Sequence, residues 1–425
     1  MPELSGLSAS SSLSDWLSWQ ETSHTRNVDL GLTRVSTVYN NLANKKDGKF
    51  TITVAGTNGK GSSVAMLEAI LLAAGYSVGV YSTPHLKFYN ERIRLNGVPV
   101  DDAVITASFA RIDQARLKTS LSYFEFGTLA ALDIFHQNIV DVQILEVGLG
   151  GRLDAVNIID AEAALITRIG IDHVDWLGDD IATIAFEKAG IFRALQKAVC
   201  GDKRVPQSLI GHAQSLRTDL LLAGTDFDVK ISESSWQLIA AHNLSGTYPL
   251  PALKGQHQID NAAAVVMLLA HVAPALTVTR EHINDGLLNL ALLGRTQWLP
   301  GQPSVLLDVA HNPQSAQALA GYLKELNHAG EVHAVFSILA DKDVEGTLLP
   351  FKEIISKWYV APIESSRAKS TMDIELALSH HSMSSYDVYP TIGLALNAAK
   401  EQSLAEDLIV CFGSFYVVDA CLETL

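Results

Sequence analysis

The feature that most constrains this chain is the stretch Val54-Ala55-Gly56-Thr57-Asn58-Gly59-Lys60-Gly61-Ser62-Ser63. An apolar run, Thr51–Ala55, reads as a buried strand leading into it. Ser63–Ala74 reads as a helix that is apolar on most faces and is stopped by Gly75. A glycine-rich turn between a strand and a helix lets backbone N–H groups approach phosphate oxygens, and the helix start adds free donors and a positive dipole end. Lys60 can reach the terminal phosphates, and Ser62 or Ser63 can face a magnesium ion. The pattern departs from the standard phosphate loop: Val54 stands at the first glycine position, and Gly61 separates Lys60 from the hydroxyl. A turn that binds nothing is the alternative, but strand, Gly–Lys pair, hydroxyls and helix all agree on a nucleotide.

Around this loop, short apolar strands alternate with helices. Ser77–Tyr81, Asp141–Val147 and Ala163–Ile169 read as strands, and Phe126–Gln137 and Ile181–Ala189 as helices. Near-continuous apolar strands between helices indicate a mostly parallel sheet covered on both faces. Residues 202–252 are polar and turn-rich, and read as an excursion with a few antiparallel strands. Helical patterns return at Asp260–Val272 and Glu281–Leu290. After a loop-like stretch from Gly294 to Pro303, a second alternation begins: Val305–Val309, a helix over Ser315–Leu326, then Val332–Ile338, Trp358–Ala361 and Leu408–Phe412. The expected fold is α/β, with an N-terminal ATP-binding domain of the phosphate-loop type over 1–295 and a smaller Rossmann-like α/β domain over 296–425. Residues 1–14 are Ser-rich and expected to fray, with Asp15 capping a short helix.

Composition narrows the function. Apolar residues at 48% and charged residues at 18% exclude a disordered chain. A net charge of −15 argues against nucleic acid as a partner while leaving room for a local basic site. Cys200, Cys411 and Cys421 match neither a disulfide framework nor a zinc site and are expected to be buried. The N-terminus has neither the basic region nor the apolar core of a signal peptide, and no run approaches the roughly 18 apolar residues of a membrane span. A cytoplasmic monomer, away from membranes, is the expectation.

Three strand ends offer metal-binding groups. Glu146 ends one strand, His173 follows a second by a few residues, and Thr83 follows a third. In open α/β sheets ligands collect beyond the carboxyl ends of strands. A carboxylate, a hydroxyl and an imidazole can hold magnesium together with ATP oxygens and water, although imidazole is a less usual ligand for it. On the residues alone the commoner reading makes His173 a loop residue, Lys188 beside Glu187 a solvated helix pair, Asn261 a helix-face amide and Arg295 a surface charge.

The loop Gly56-Thr57-Asn58-Gly59-Lys60-Gly61-Ser62 resembles the nucleotide loop of the Mur ligase superfamily, and more closely that of its folylpolyglutamate synthase and dihydrofolate synthase branch, bifunctional bacterial type. The same order of motifs follows: Tyr81-Ser82-Thr83-Pro84-His85-Leu86, Glu146-Val147-Gly148-Leu149-Gly150-Gly151-Arg152-Leu153-Asp154, Asp172-His173, Glu187-Lys188-Ala189-Gly190-Ile191-Phe192 and Asp308-Val309-Ala310-His311-Asn312-Pro313. The resemblance runs from about residue 15 to the C-terminus.

It implies an ATP-dependent ligase that joins L-glutamate to dihydropteroate, giving dihydrofolate, and to reduced folates, giving folylpolyglutamates. ATP phosphorylates a carboxylate, the amine of glutamate attacks the acyl phosphate, and phosphate leaves. It implies that Gly56 to Ser62, Asn261, Arg295 and Asp308 contact ATP, that Lys60, Lys188 and His311 serve catalysis, and that His311 lies near the glutamate. Thr83, Glu146 and His173 match its magnesium ligands, one or two Mg²⁺ ions being expected, with room for a monovalent cation. Thr83 replaces a common serine and keeps the hydroxyl. Lys188 matches a lysine that is carbamylated by CO₂ and becomes an anionic ligand. Asp29, Leu30 and Gly31, then Ser122, Tyr123, Phe124 and Glu125, match segments that contact the pterin, with Leu153, Asp154 and Ala155 lining the same pocket. Phe124 can stack on a pterin, or can simply open an apolar helix. The alternatives are an enzyme that only extends polyglutamate chains, a cell-wall Mur ligase, for whose extra N-terminal domain the 55 residues before Gly56 are too few, and an ATP-binding module without catalysis.

Overall fold

The computed structural model describes residues 5–25, 29–42 and 48–425, and groups them into two compact units. The first comprises residues up to Ile171, Asp179–Leu250 and Asp260–Leu290; the second comprises Asp172–Gly178, Pro251–Ile259 and Ala291–Leu425.

The first unit is built on strands β1 (Phe50–Ala55), β2 (Val78–Tyr81), β3 (Ile93–Leu95), β4 (Val98–Pro99), β5 (Val142–Glu146), β6 (Ala163–Ile166), β7 (Lys197–Cys200) and β8 (Asp219–Leu222). They form one sheet in the order β4-β3-β2-β5-β1-β6-β7-β8, parallel except for the β2–β3–β4 meander. β5 and β6 are consecutive in the chain yet flank β1 on opposite sides, so the crossovers diverge at the carboxyl end of β1, where such sheets hold ligands. β5 and β6 are buried at every position and β1 at all but its first, as expected for parallel strands covered on both faces. The helix Lys60–Ala73 lies on this sheet, and the helix Arg280–Leu288 closes on it through Gly286, where a Cβ would stand 2.6 Å from Ile70. Trp16, Phe109 and Phe126 form a buried aromatic wall; a buried ring of this size contributes roughly 1.5–3 kcal/mol.

Four expectations are corrected. The helix expected from Phe126 starts at Tyr123, because Ser122 and Glu125 form a capping box: Glu125 Oε2 accepts from Ser122 N–H at 2.8 Å, and Ser122 Oγ from Glu125 N–H at 3.3 Å. The first helix spans Leu13–Ser23 and is capped by Ser12, not Asp15. The Ser-rich start is tied down from Ser5 onward: Ser5 Oγ donates to Asp113 at 2.8 Å, and Ala9 O accepts from Thr106. Part of the polar excursion joins the main sheet, as the helix Gln207–Leu216 and the parallel strand β8; the remainder, β9 (Phe227–Ile231), β10 (Ser235–Ala240) and β11 (Gly246–Pro249), makes a separate antiparallel sheet.

The second unit has strands β12 (Gln297–Leu299), β13 (Ser304–Leu307), β14 (Val332–Phe336), β15 (Lys357–Val360), β16 (Tyr386–Val388) and β17 (Leu408–Phe412). Their order is β12-β13-β17-β14-β15-β16, parallel except for β12. Phe336, Phe351, Trp358 and Phe412 interlock in its core, with Phe351 and Phe412 centroids 4.5 Å apart. Cys200, Cys411 and Cys421 are all buried thiols. No helix among the described residues is long and apolar enough to cross a membrane.

Candidate active site

β1 delivers the loop Gly56–Gly59, and the helix from Lys60 carries Gly61 and Ser62 in its first turn. The loop is bolted to the segment after β6. Thr57 N–H donates to Arg168 O at 2.7 Å, Thr57 Oγ donates to Gly170 O at 2.9 Å, and Thr167 Oγ donates to Asn58 O at 2.8 Å. Two glycines make this possible. Gly56 has φ 147°, and a Cβ there would stand 1.9 Å from Thr167 Oγ; Gly59 has φ 94°, and a Cβ would stand 2.6 Å from Asn261 Oδ1. Asn261, from the helix Gln256–His271, is therefore brought directly against the loop.

Lys60 and Lys188 meet at one acceptor. Gly56 O accepts from Lys60 Nζ and from Lys188 Nζ, each at 3.0 Å, and Lys60 also donates to Thr57 O at 3.2 Å. Lys188 is buried, and Glu187 turns away to pair with Arg152 at 2.8 Å, so the solvated Glu–Lys pair does not form. Gly151 lets the loop after β5 pass close to the end of this helix: a Cβ would meet Glu187 O at 2.8 Å and Lys188 O at 2.9 Å.

Glu146 ends β5 beside Val54 of β1, and Thr83 N–H donates to its Oε2 at 3.2 Å. Carboxylate and hydroxyl oxygens are hard donors that suit magnesium. His173, in a left-handed conformation at φ 54°, belongs by its contacts to the second unit, so the first unit holds Thr83, Glu146 and Lys188 without it. Among the described residues no three His, Cys, Asp or Glu side chains cluster as a self-sufficient metal cage.

The pterin-matching segments converge within the first unit. Gly31 N–H donates to Leu153 O at 3.2 Å, joining the Asp29-Leu30-Gly31 segment to Leu153-Asp154-Ala155. Phe124 lies against Gly148, where a Cβ would meet its ring at 2.8 Å, and its centroid is 5.8 Å from that of Tyr81. Tyr123 packs edge-on to Tyr89. Asp154 accepts from the N–H groups of Gly148, Leu149 and Val156 at 2.9–3.0 Å; burial nonetheless pushes its carboxyl up to about 6. Arg34, which the sequence reading passed over, ties two segments together: it pairs with Asp29 at 2.8 Å and Glu125 at 3.1 Å.

In the second unit Asp308 directly follows β13, and its carboxylate accepts from Thr296 N–H and Ala310 N–H, both at 2.8 Å. Burial pushes this carboxyl up, against the pull of Arg295, whose guanidinium lies over Phe415 at 5.3 Å. His311 Nδ1–H donates to Val309 O at 2.7 Å. Burial and the Lys342 ammonium lower its imidazole to about 4, so it is neutral at pH 7 with Nε2 as the basic nitrogen. Asp172 accepts from Lys342 Nζ at 2.5 Å and Asn312 Nδ2 at 3.0 Å. Burial raises its carboxyl, but Lys342, His173 and His311 outweigh that and hold it well below the usual range. The sequence marks Lys342 only by the charged run Asp341-Lys342-Asp343 a few residues after β14.

Comparison with known proteins agrees with this architecture. The Mur ligase middle domain family matches residues 54–269, and the Mur ligase glutamate ligase domain family matches 294–415. The dihydrofolate synthase/folylpolyglutamate synthase of Escherichia coli (strain K12) is 42% identical over 417 residues, covering 98% of this chain and 96% of that protein. The structure of E. coli FolC in complex with DHPP and ADP superposes with a TM-score of 0.92 at 43% identity, covering 98% of each chain. A bifunctional folylpolyglutamate synthase/dihydrofolate synthase with Mn, AMPPNP and L-glutamate bound gives 0.90 at 40% identity, again covering 98% of each. With both Mur ligase regions in place and near-complete coverage by such relatives, this chain belongs to the dihydrofolate synthase/folylpolyglutamate synthase family of Mur ligases.

Proposed function

We propose that the chain is an ATP-dependent acid–amino-acid ligase that adds L-glutamate to dihydropteroate and to reduced folates through an acyl phosphate. The observation that carries this reading is the convergence, in one unit, of a phosphate loop with two lysines on Gly56 O and the meeting of three pterin-matching segments around Phe124 and Asp154.

In this reading the loop N–H groups and Lys60 hold the ATP phosphates, and Asn261 fixes the loop against the nucleotide. Arg295 and Asp308 are further nucleotide contacts in this reading. Thr83, Glu146, His173 and a carbamylated Lys188 are the residues that would hold Mg²⁺, and a monovalent cation is an accessory. When bound, the metal neutralises developing phosphoryl charge as a Lewis acid. Phosphoryl transfer depends chiefly on position and charge, and the chain supplies both through a loop whose geometry is fixed by Thr167 and Asn261. Asp29, Leu30, Gly31, Ser122 to Glu125 and Leu153 to Ala155 bind the pterin, with Phe124 as the stacking face. His311, neutral at pH 7, faces the glutamate. The protein works as a cytoplasmic monomer on small molecules, with neither nucleic acid nor membrane as partner.

The test is ADP release by purified protein with Mg²⁺, ATP and glutamate, with dihydropteroate in one reaction and a reduced folate in the other. Turnover with both is expected. Turnover with the folate alone would reduce the function to polyglutamate extension. Turnover with neither, while ATP still binds, would favour the non-catalytic module.

A further inference from the structure

Arg92 ends the short 3-10 turn Tyr89–Arg92 and stands beside Thr83 across the β2–β3 hairpin, where Ser82 N–H donates to its carbonyl at 2.9 Å. Its side chain is only half-buried, yet it is held on several sides. Nε–H donates to His85 Nδ1 at 2.6 Å, and Nη1–H donates to Thr83 Oγ at 3.3 Å. The guanidinium carbon lies 5.4 Å from the Tyr89 ring centroid and 5.5 Å from that of Tyr123. Each partner is neutral. Neighbouring arginines are placed differently: Arg94, two residues on, pairs with Glu68 at 2.7 Å, Arg34 with Asp29 and Glu125, and Arg152 with Glu187. Among the described residues Arg92 has no carboxylate partner. A guanidinium carries five N–H donors in a planar fork, so three remain for another group. Its surroundings fix the plane of that fork before any ligand arrives, which lowers the entropic cost of a bidentate contact.

Arg92 also stands between two things the proposed function brings together. On one side is Thr83, whose N–H donates to Glu146 at the metal-matching strand end; on the other is Tyr123, of the pterin-matching segment. A pteroate acceptor has its flat ring at one end and its reacting carboxylate at the other, and a folyl-glutamate acceptor adds a non-reacting carboxylate. We infer that Arg92, held by His85, Thr83, Tyr89 and Tyr123, is a carboxylate-recognition residue for the acceptor substrate and receives the carboxylate end of the pteroate or folyl chain. This rests on the ligase reading above. His85 is a positioning residue that fixes Nε and so aims the remaining Nη groups.

The test compares binding of pteroic acid with binding of its carboxamide, by calorimetry without ATP, in the unaltered protein and in Arg92→Gln and Arg92→Lys. The unaltered protein should prefer the acid by about tenfold to a hundredfold, the range of a charged hydrogen bond. Arg92→Gln should abolish that preference, and Arg92→Lys should keep part of it, because a point charge replaces the fork. Unchanged ADP affinity in each variant shows that the first unit is folded. A preference retained in Arg92→Gln, or absent from the unaltered protein, overturns the inference. Kinetics then separate the two carboxylates. A KM raised for dihydropteroate and folate alike places the reacting carboxylate on Arg92; a KM raised for the folyl-glutamate alone, whose extra carboxylate pteroic acid lacks, or for neither, overturns the inference. Failure of the unaltered protein to turn over either acceptor would instead count against the ligase reading.

Discussion

Gly56→Ala is the sharpest test of how the phosphate loop is held. The added Cβ would lie 1.9 Å from Thr167 Oγ and 3.2 Å from the Thr167 backbone nitrogen. The first contact can be relieved only by rotating Thr167, which gives up its hydrogen bond to Asn58 O and leaves a buried hydroxyl unsatisfied, at about 1–3 kcal/mol. The second is to backbone and cannot be rotated away. A non-glycine residue at φ 147° adds a further strain of about 1–3 kcal/mol. The sum is about 2–6 kcal/mol, shared between stability of the first unit and nucleotide affinity. The assay is urea unfolding, following the transition that ADP shifts, together with ADP titration calorimetry. A double-mutant cycle isolates the cause: Thr167→Ala removes the clashing oxygen, so Gly56→Ala with Thr167→Ala should cost about 1–2 kcal/mol less than the sum of the single changes. Strict additivity, or a Gly56→Ala protein that unfolds and binds ADP like the parent, would refute the reasoning.

Three further outcomes are expected. Turnover should fall in CO₂-depleted buffer and return with bicarbonate, whereas Lys188→Gln should lose about a hundredfold or more and respond to neither, as expected when a group aimed at developing charge is removed; a parent enzyme indifferent to bicarbonate would exclude carbamylation. Arg34→Gln should raise the KM for dihydropteroate about tenfold, the loss of two partly buried charged contacts, while leaving ADP affinity unchanged; equal effects on both ligands would mean a general loss of fold. The His311 imidazole is lowered to about 4, so the unfolded chain binds the proton first as pH falls: stability of the second unit is full above about pH 6.5, declines below it and levels off near pH 4. Urea midpoints across that window should lose part of their pH dependence in His311→Gln, and identical profiles would contradict the shift.

Much of the site can be read from sequence because its chemistry is local. The phosphate loop announces itself through strand, glycines, lysine and helix within one short run, whereas the apolar pattern starts the next helix at Phe126 and only the Ser122–Glu125 capping box moves it back to Tyr123. The contacts that hold these pieces are not local. Thr167 against Gly56 and Asn261 against Gly59 are separated by more than a hundred residues in the chain, and threonine and asparagine have many commoner uses. Arg34 and Arg92 look like ordinary surface charges until the fold shows which groups surround them. Lys188 shows the same ambiguity resolved: its neighbour Glu187 invites a helix pair, but the tight approach at Gly151 buries the lysine and turns the glutamate toward Arg152. Short strands are illegible in the sequence, since the three residues of β12 or β16 carry too little pattern to separate them from loop.

The margins of the two large sheets carry a consequence of their own. One outer strand of the first sheet, β4, has only two residues and ends in Pro99, which cannot donate to a neighbour; the other, β8, has four. The second sheet is bordered by β12 and β16, three residues each. An incoming chain would find at each border only a short row of backbone groups, too few to anchor a continuous ladder. The long apolar strands that could template aggregation, β1, β5, β14 and β17, all lie between other strands. A chain nearly half apolar thereby keeps its stickiest segments out of reach, and any recruitment of partners by strand addition is discouraged by the sheet order itself.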